Sequence, residues 1–291
     1  MAPRAIISYD DTPGDHDALM LGRILADAGA ALTLAYVRHA TQSDHSQEEQ
    51  EAHHAEMLLA HGADRLADLD VDTQVVVSPS TPEGLRRLIE EHHADIVVFG
   101  SDYRTPPGRV APQHTTQRLL ECGPAAVAMA PADYFGARIH RIGVLAIPGD
   151  DATLATARSL ADSFGATLTR DEPRVDLLVV GSRLEAPTGH VLLSAQAQNE
   201  IENATCPVLV VPRGVAIDFP AVLAHAAEGF RIPPGMAARS VNHPACRRVS
   251  APPSCETCQS AGRRGSVAAS ASATCRSCQG QPGRGRMAGS A

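Results

Sequence analysis

The sequence predicts an α/β fold made of two open sandwich units of parallel sheet, followed by a basic tail. Three observations predict it. The first is a duplication: residues 97–131 and 178–212 align 81 positions apart without an insertion, matching Gly100 with Gly181, Ser101 with Ser182, Pro106 with Pro187, Gly108 with Gly189, Gln117 with Gln198 and Pro131 with Pro212. Internal repetition reports architecture before any motif does. The second is the alternation of short Val/Ile/Leu runs with helical stretches, the pattern of a parallel sheet buried on both faces. The third is a change of composition beyond Arg213, where large apolar residues become rare and no core can form.

Residues 5–9 are an apolar run ending at Asp10-Asp11. A Thr-Pro-Gly turn then leads into residues 17–29, where Ala18, Leu21, Leu25 and Ala28 recur at helical spacing. A second strand over 31–37 completes a β-α-β start. Residues 46–62, rich in Glu, Gln and His with Met57, Leu58 and Leu59 on one side, read as a surface helix closed by Gly62. A strand over 71–77, a helix capped by Thr81-Pro82-Glu83-Gly84 and running through Glu91, and a strand over 95–99 lead to the repeated unit. That unit is a buried strand ending in Gly-Ser, a Pro/Gly loop, a helix and a second buried strand. Residues 139–147 restart the pattern with a helix over 152–164 and a strand over 166–169, and the next strand, 175–180, follows almost at once. Parallel strands need a crossover of about a dozen residues or more, so the link over 170–174 is expected to run as a hairpin or across the sheet. The second unit is therefore shortened. The expected boundaries are 1–136 for the first unit, 137–214 for the second and 215–291 for the tail, with a last helix over 221–229 and disorder from Arg231.

The formal charge of −8 is unevenly spread: from Gly214 onward 9 Arg face 3 acidic residues, which leaves −14 for residues 1–213. An acidic body argues against nucleic acid as its partner, because neutralising phosphates takes a basic face. All 25 basic residues are Arg, which excludes a lysine-bearing P-loop and a Schiff-base lysine. No apolar run approaches the ~18 residues of a membrane span, and the start MAPRAIISYDD has no signal-peptide core. The expected compartment is the cytoplasm, with no membrane partner. Cys122 and Cys206 lie in the repeats and five cysteines in the tail, so no disulfide framework organises the body. Cys206, ahead of Pro207, reads as a small packing residue.

The strand-Gly-Ser at Gly100 and Gly181, the nine-residue spacer, the short helix and the closing strand resemble the universal stress protein family, with its Rossmann-like α/β units; the nearest stretch is NATCPVLVVP, residues 203–212. The resemblance covers residues 4–213. It implies a tandem packed as an intramolecular pseudo-dimer, whose closing strands, over 126–130 and 208–211, pair across the dimer axis, and it allows further homo-oligomers. It also implies a role in stress adaptation as a binding or signalling module rather than an enzyme.

In the nucleotide-binding branch of that family, ATP sits over the carboxyl ends of the strands. An Asp ends the first strand, a Val follows the second, and the loop reads G-x-x-G, nine residues, G-[ST]. Its backbone N–H groups reach the phosphates, and the helix that follows offers its amino terminus to the anion. Carried onto this sequence, the resemblance gives Asp10, Val37, Gly100, Ser101, His114 and Thr115 as the candidate nucleotide-binding residues. The match breaks at Tyr103, in place of the second glycine, and at Gln113-His114, in place of Gly-Ser. The second unit keeps Gly181 but has Leu184 and Ser194-Ala195 at those positions, and its first strand ends Ala146-Ile147-Pro148 without the aspartate. A side chain where bare backbone should face phosphate blocks its approach. The cradle therefore reads as degraded in both units, with ATP an expectation for the first unit only. Each residue also has a structural role open to it: Asp10 as a turn former or cap, His114 as a solvent-facing helix residue, and Ser101 and Ser182 as hydroxyls satisfying nearby backbone.

His45, His53, His54 and His61 lie near Glu49 and Glu56, and His53 shares a helix face with both glutamates. Without an H-E-x-x-H pair this reads as a solvated face. In the tail, Cys255-x-x-Cys258 and Cys275-x-x-Cys278, with 16 residues between the pairs, fit the spacing of tetrahedral zinc. Neighbouring Arg residues would make nucleic acid the partner of such a site. Against zinc, the intervening QSAGRRGSVAASASAT lacks the apolar residues of a zinc ribbon. No Ser-His-Asp order, paired carboxylate site or nucleophilic cysteine signature marks a catalytic centre.

Overall fold

The first helix begins where Thr12 and Asp15 close a capping box: the Thr12 hydroxyl accepts the Asp15 N–H, and the Asp15 carboxylate accepts the Thr12 N–H. In the computed structural model, which describes residues 1–39, 45–170 and 174–220, this box starts α1 (Pro13–Asp27) just after β1 (Arg4–Ser8). The helix thus begins four residues before the expected Asp17, with Pro13 in the first turn, where its missing N–H costs nothing. The chain continues through β2 (Ala31–His39), α2 (His45–Asp64), β3 (Val71–Ser78), α3 (Thr81–His92), β4 (Ile96–Phe99), α4 (His114–Cys122) and β5 (Ala126–Met129). The second half is β6 (Arg141–Leu145), α5 (Asp151–Phe164), β7 (Thr167–Thr169), β8 (Leu177–Gly181), α6 (Ala195–Asn203) and β9 (Val208–Val211). The helix expected over 221–229, the disorder expected from Arg231 and the four zinc-spaced cysteines all concern residues outside those described.

The strands form one nine-stranded sheet in the order β3-β2-β1-β4-β5-β9-β8-β6-β7. Every neighbouring pair is parallel except β5 and β9, which run antiparallel with Val127 opposite Val210 and Met129 opposite Val208. The closing strands of the two repeats therefore meet at the centre of the sheet, as the resemblance implied. Period-2 alternation divides the core between two faces. Ala5, Ile7, Ile96 and Val98 pack with residues of α1, α2 and α5, while Ile6, Val97 and Phe99 pack with residues of α3, α4 and α6. Each fully buried Val or Ile on these strands contributes about 1.5–3 kcal/mol of transfer free energy.

The two halves share one plan, shortened in the second. Asp95 accepts the Arg4 N–H at 2.8 Å, and Asp176, 81 positions on, accepts the Arg141 N–H at 2.9 Å. Each aspartate thereby ties the start of one central strand to its parallel neighbour. Among the described residues, the second half has no counterpart of α2, β3 and α3. Its β7 and β8 flank β6 on opposite sides, both parallel to it, so the return between them crosses the sheet. On that path Val175 lies against Gly143, 3.1 Å from where a Cβ would stand. Glycine at this one position of β6 leaves room for the crossing chain.

After β9 the chain turns back along α5. Thr156, Ser159 and Ser163 present a track of hydroxyls: Thr156 Oγ1 accepts the Ile217 N–H at 2.9 Å, Ser159 Oγ accepts the Phe219 N–H at 2.7 Å, and Ser163 Oγ donates to the carbonyls of Ala28 and Pro220. Ile217 and Phe219 are buried beneath it in the core of the α1 face.

Candidate functional site

The site that the sequence points to lies at the carboxyl ends of β1, β2 and β4. Asp15 organises its near side: buried, it accepts the N–H groups of Asp10 and Thr12, both at 2.9 Å, and the Thr12 hydroxyl at 2.7 Å. Burial outweighs those bonds and raises its carboxyl above the usual range. Asp10 is exposed by surface area, yet loss of hydration, seconded by the Asp15 carboxylate and opposed by His39, pushes it up to about 6.

Gly100 and Ser101 follow β4, and the first turn of α1 is packed directly on them. A Cβ on Gly100 would collide with the Gly14 carbonyl, and a Cβ on Gly14 would stand 2.6 Å from the Ser101 oxygen. The sequence shows Gly14 only as the glycine of a turn, with nothing to reveal that it packs on Gly100 and Ser101. Gln113, which stands where the family has glycine, turns its amide inward: Nε2 donates to Ser101 O at 3.2 Å and to Gly100 O at 3.5 Å. Ser101 is also buried. Its hydroxyl donates to the Ala130 carbonyl at 2.7 Å and accepts the Ala111 N–H at 3.2 Å. Tyr103 points outward, 71 % exposed, with the Arg104 guanidinium over its ring.

The remaining candidates are differently placed. Val37 is buried in the core, its methyls against Gly84 of α3. His114 and Thr115 open α4 and line a cleft of about 620 Å³ with His39, Thr81, Arg86 and Arg118, between the amino termini of α3 and α4. Ser80 caps α3 by accepting the Glu83 N–H, whereas Gln113 at the cap of α4 makes no such bond, its amide being engaged with the loop. His39, Arg86 and Arg118 escaped the sequence reading because they belong to three separate elements.

In the second half the corresponding place is closed by a carboxylate. Asp150 caps α5, accepting the N–H of Thr153 at 3.2 Å and its hydroxyl at 2.5 Å, and its Oδ2 fills the space a Cβ on Gly181 would need. Among the described residues, no group of three His, Cys, Asp or Glu side chains is placed to hold a metal ion, and no helix is long and apolar enough to cross a membrane.

The family model for the universal stress protein family matches residues 1–131 and 154–212. The chain belongs to the universal stress protein family. Its fold is similar to the crystal structure of a universal stress protein from Archaeoglobus fulgidus DSM 4304, at 12 % identity and a TM-score of 0.57, covering 72 % of this chain and 98 % of that one. It is also similar to a putative universal stress protein from Pseudomonas aeruginosa UCBPP-PA14, at 15 % identity and a TM-score of 0.51 over 72 % of this chain and 93 % of that one. No curated protein matches the chain. The tandem of universal stress protein segments in the family match agrees with the repeat read from the sequence.

Proposed function

We propose that this universal stress protein acts in stress adaptation as a binding or signalling module whose nucleotide site is degraded in both halves. One observation carries the proposal: the Gln113 amide is bonded to the carbonyls of Gly100 and Ser101, in the loop where the family's ATP-binding branch presents bare glycine to phosphate. The units are assigned as 1–136 and 137–214. Titration calorimetry of the full chain with ATP and AMP, with Asp10→Ala as control, tests the proposal, together with the absorbance near ~260 nm of the supernatant after denaturation, where nucleotide bases absorb and this chain has no Trp. The expected result is no micromolar binding and no released nucleotide. Micromolar ATP binding lost in Asp10→Ala would favour instead an ATP sensor or slow ATPase built on the first unit.

The cysteine spacing favours a second, separate reading of the tail, in which Cys255, Cys258, Cys275 and Cys278 hold zinc and the arginines around them meet nucleic acid. Metal analysis of the wild type and of Cys255→Ser/Cys275→Ser decides it, equal zinc content in the two counting against it.

A further inference from the structure

The seam between the two halves carries a near two-fold axis. Ala128 of β5 stands opposite Leu209 of β9, and these two residues are themselves 81 positions apart, so the axis that relates the repeats passes between them. On the face of the sheet that holds α4 and α6, a pocket of about 320 Å³ opens across this axis. Its walls are repeat partners: Gln117 and Gln198, Leu120 and Ile201, Glu121 and Glu202. Two backbone bonds, repeat partners as well, brace it. The Val110 N–H donates to the Ala204 carbonyl at 3.3 Å and the Val191 N–H to the Gly123 carbonyl at 2.9 Å, so the loop of each half is held at the end of the other half's helix.

The lining sets the chemistry of an occupant. Leu120 and Ile201 are buried, and with Leu192 and Leu193 they give the pocket an apolar floor. Around that floor stand acceptors. Each glutamine has its amide nitrogen engaged, Gln117 on the Pro112 carbonyl at 3.2 Å and Gln198 on the Glu202 carboxylate at 3.1 Å, which leaves their amide oxygens to accept. The ionisable groups among the described residues of the walls are both carboxylates, Glu121 and Glu202. Each stands in the last turn of a helix that has no basic residue there, where the helix dipole adds to the negative potential. Two arginines lie outside the walls: Arg118 meets Glu121 at 3.1 Å in an exposed pair that water screens, and Arg109 holds the Asn203 carbonyl at the end of α6.

We infer that this pocket binds an aliphatic diamine, a short linear dication with an ammonium group at each end. The two-fold relation puts Glu121 and Glu202 on opposite sides of the axis, so the ligand that satisfies both has like ends. Ammonium groups donate to carboxylate and amide oxygens, and the methylene chain between them covers the apolar floor. The site is separate from the loops at Gly100 and Gly181, and the acidic body draws dications toward it.

Titration calorimetry of the full-length chain with diaminobutane, diaminopentane and diaminohexane tests this, with hexylamine as the one-ended comparison. The expected result is one-to-one binding, strongest for one chain length because the two carboxylates stand on fixed helices, and about tenfold weaker for hexylamine. Glu121→Gln and Glu202→Gln, both at exposed positions, are each expected to weaken the best diamine about tenfold. Glu200→Gln, on α6 but outside the pocket, is expected to leave it unchanged. Absence of one-to-one binding, wild-type affinity in both pocket variants, or equal affinity for hexylamine would overturn the inference. So would an equal loss in Glu200→Gln, which would assign the binding to acidic surface in general.

Discussion

Ser101 and Ser182, 81 positions apart, make the same pair of hydrogen bonds. Each hydroxyl donates at 2.7 Å to a carbonyl at the end of its closing strand, Ala130 or Val211, and each accepts a loop N–H, from Ala111 or Leu192. The Gly-Ser that looks like part of a phosphate loop is, at its serine, a staple between loop and sheet.

Replacing either serine by alanine is therefore expected to cost about 1–3 kcal/mol, because a buried carbonyl and a loop N–H both lose their partner. The two sites share no partner, so Ser101→Ala/Ser182→Ala should show the sum of the single losses in denaturant unfolding. An unchanged midpoint in either single variant would refute the staple.

Tyr103→Gly/Gln113→Gly/His114→Ser restores the family's loop pattern in the first half. It removes the amide that holds the Gly100 and Ser101 carbonyls and leaves bare backbone in its place. Calorimetry is expected to show ATP binding in this variant and none in the wild type. If neither binds, features outside the loop close the site.

Asp10 sets a pH dependence. Its folded pKa, about 6, lies above the ordinary carboxyl value, so the folded state favours the protonated form. That stabilisation is complete below the unfolded pKa and is lost as pH rises through about 6. Asp10→Asn, which cannot ionise, should melt above the wild type at pH 7–8 and converge with it near pH 4. Parallel melting curves across that range would contradict the assignment.

Gly143→Val places two methyls where Val175 lies. Overpacking against the crossing chain should cost about 1–3 kcal/mol, read as a lower midpoint in urea. A neutral effect would mean that the return path shifts freely.

Much of this fold was legible because buried parallel strands announce themselves as Val/Ile/Leu runs, and because the repeat fixed the register of the second half onto the first. The early start of α1 was not, since Thr12 and Asp15 form a capping box with Asp in place of the usual Glu. Asp17, taken as the beginning of that helix, lies inside it and accepts the N–H groups of Asp133 and Tyr134 from the linker between the halves. Contacts of that span leave no trace in local pattern. The candidate site was legible in part: the family pattern identifies Gln113 as a departure, but only geometry shows where its amide goes. The hydroxyls of Thr156, Ser159 and Ser163 were equally silent, their spacing being that of any polar helix edge.

The seam between β5 and β9 has a further consequence. When two identical chains meet edge to edge, one surface must complement itself, and any change appears on both sides at once. Here the two edges belong to one polypeptide, so Met129 can face Val208 and each side is free to differ from the other. The tether also makes their meeting independent of protein concentration. A half that no longer needs to find its partner in solution can shed a strand and two helices and still complete the sheet.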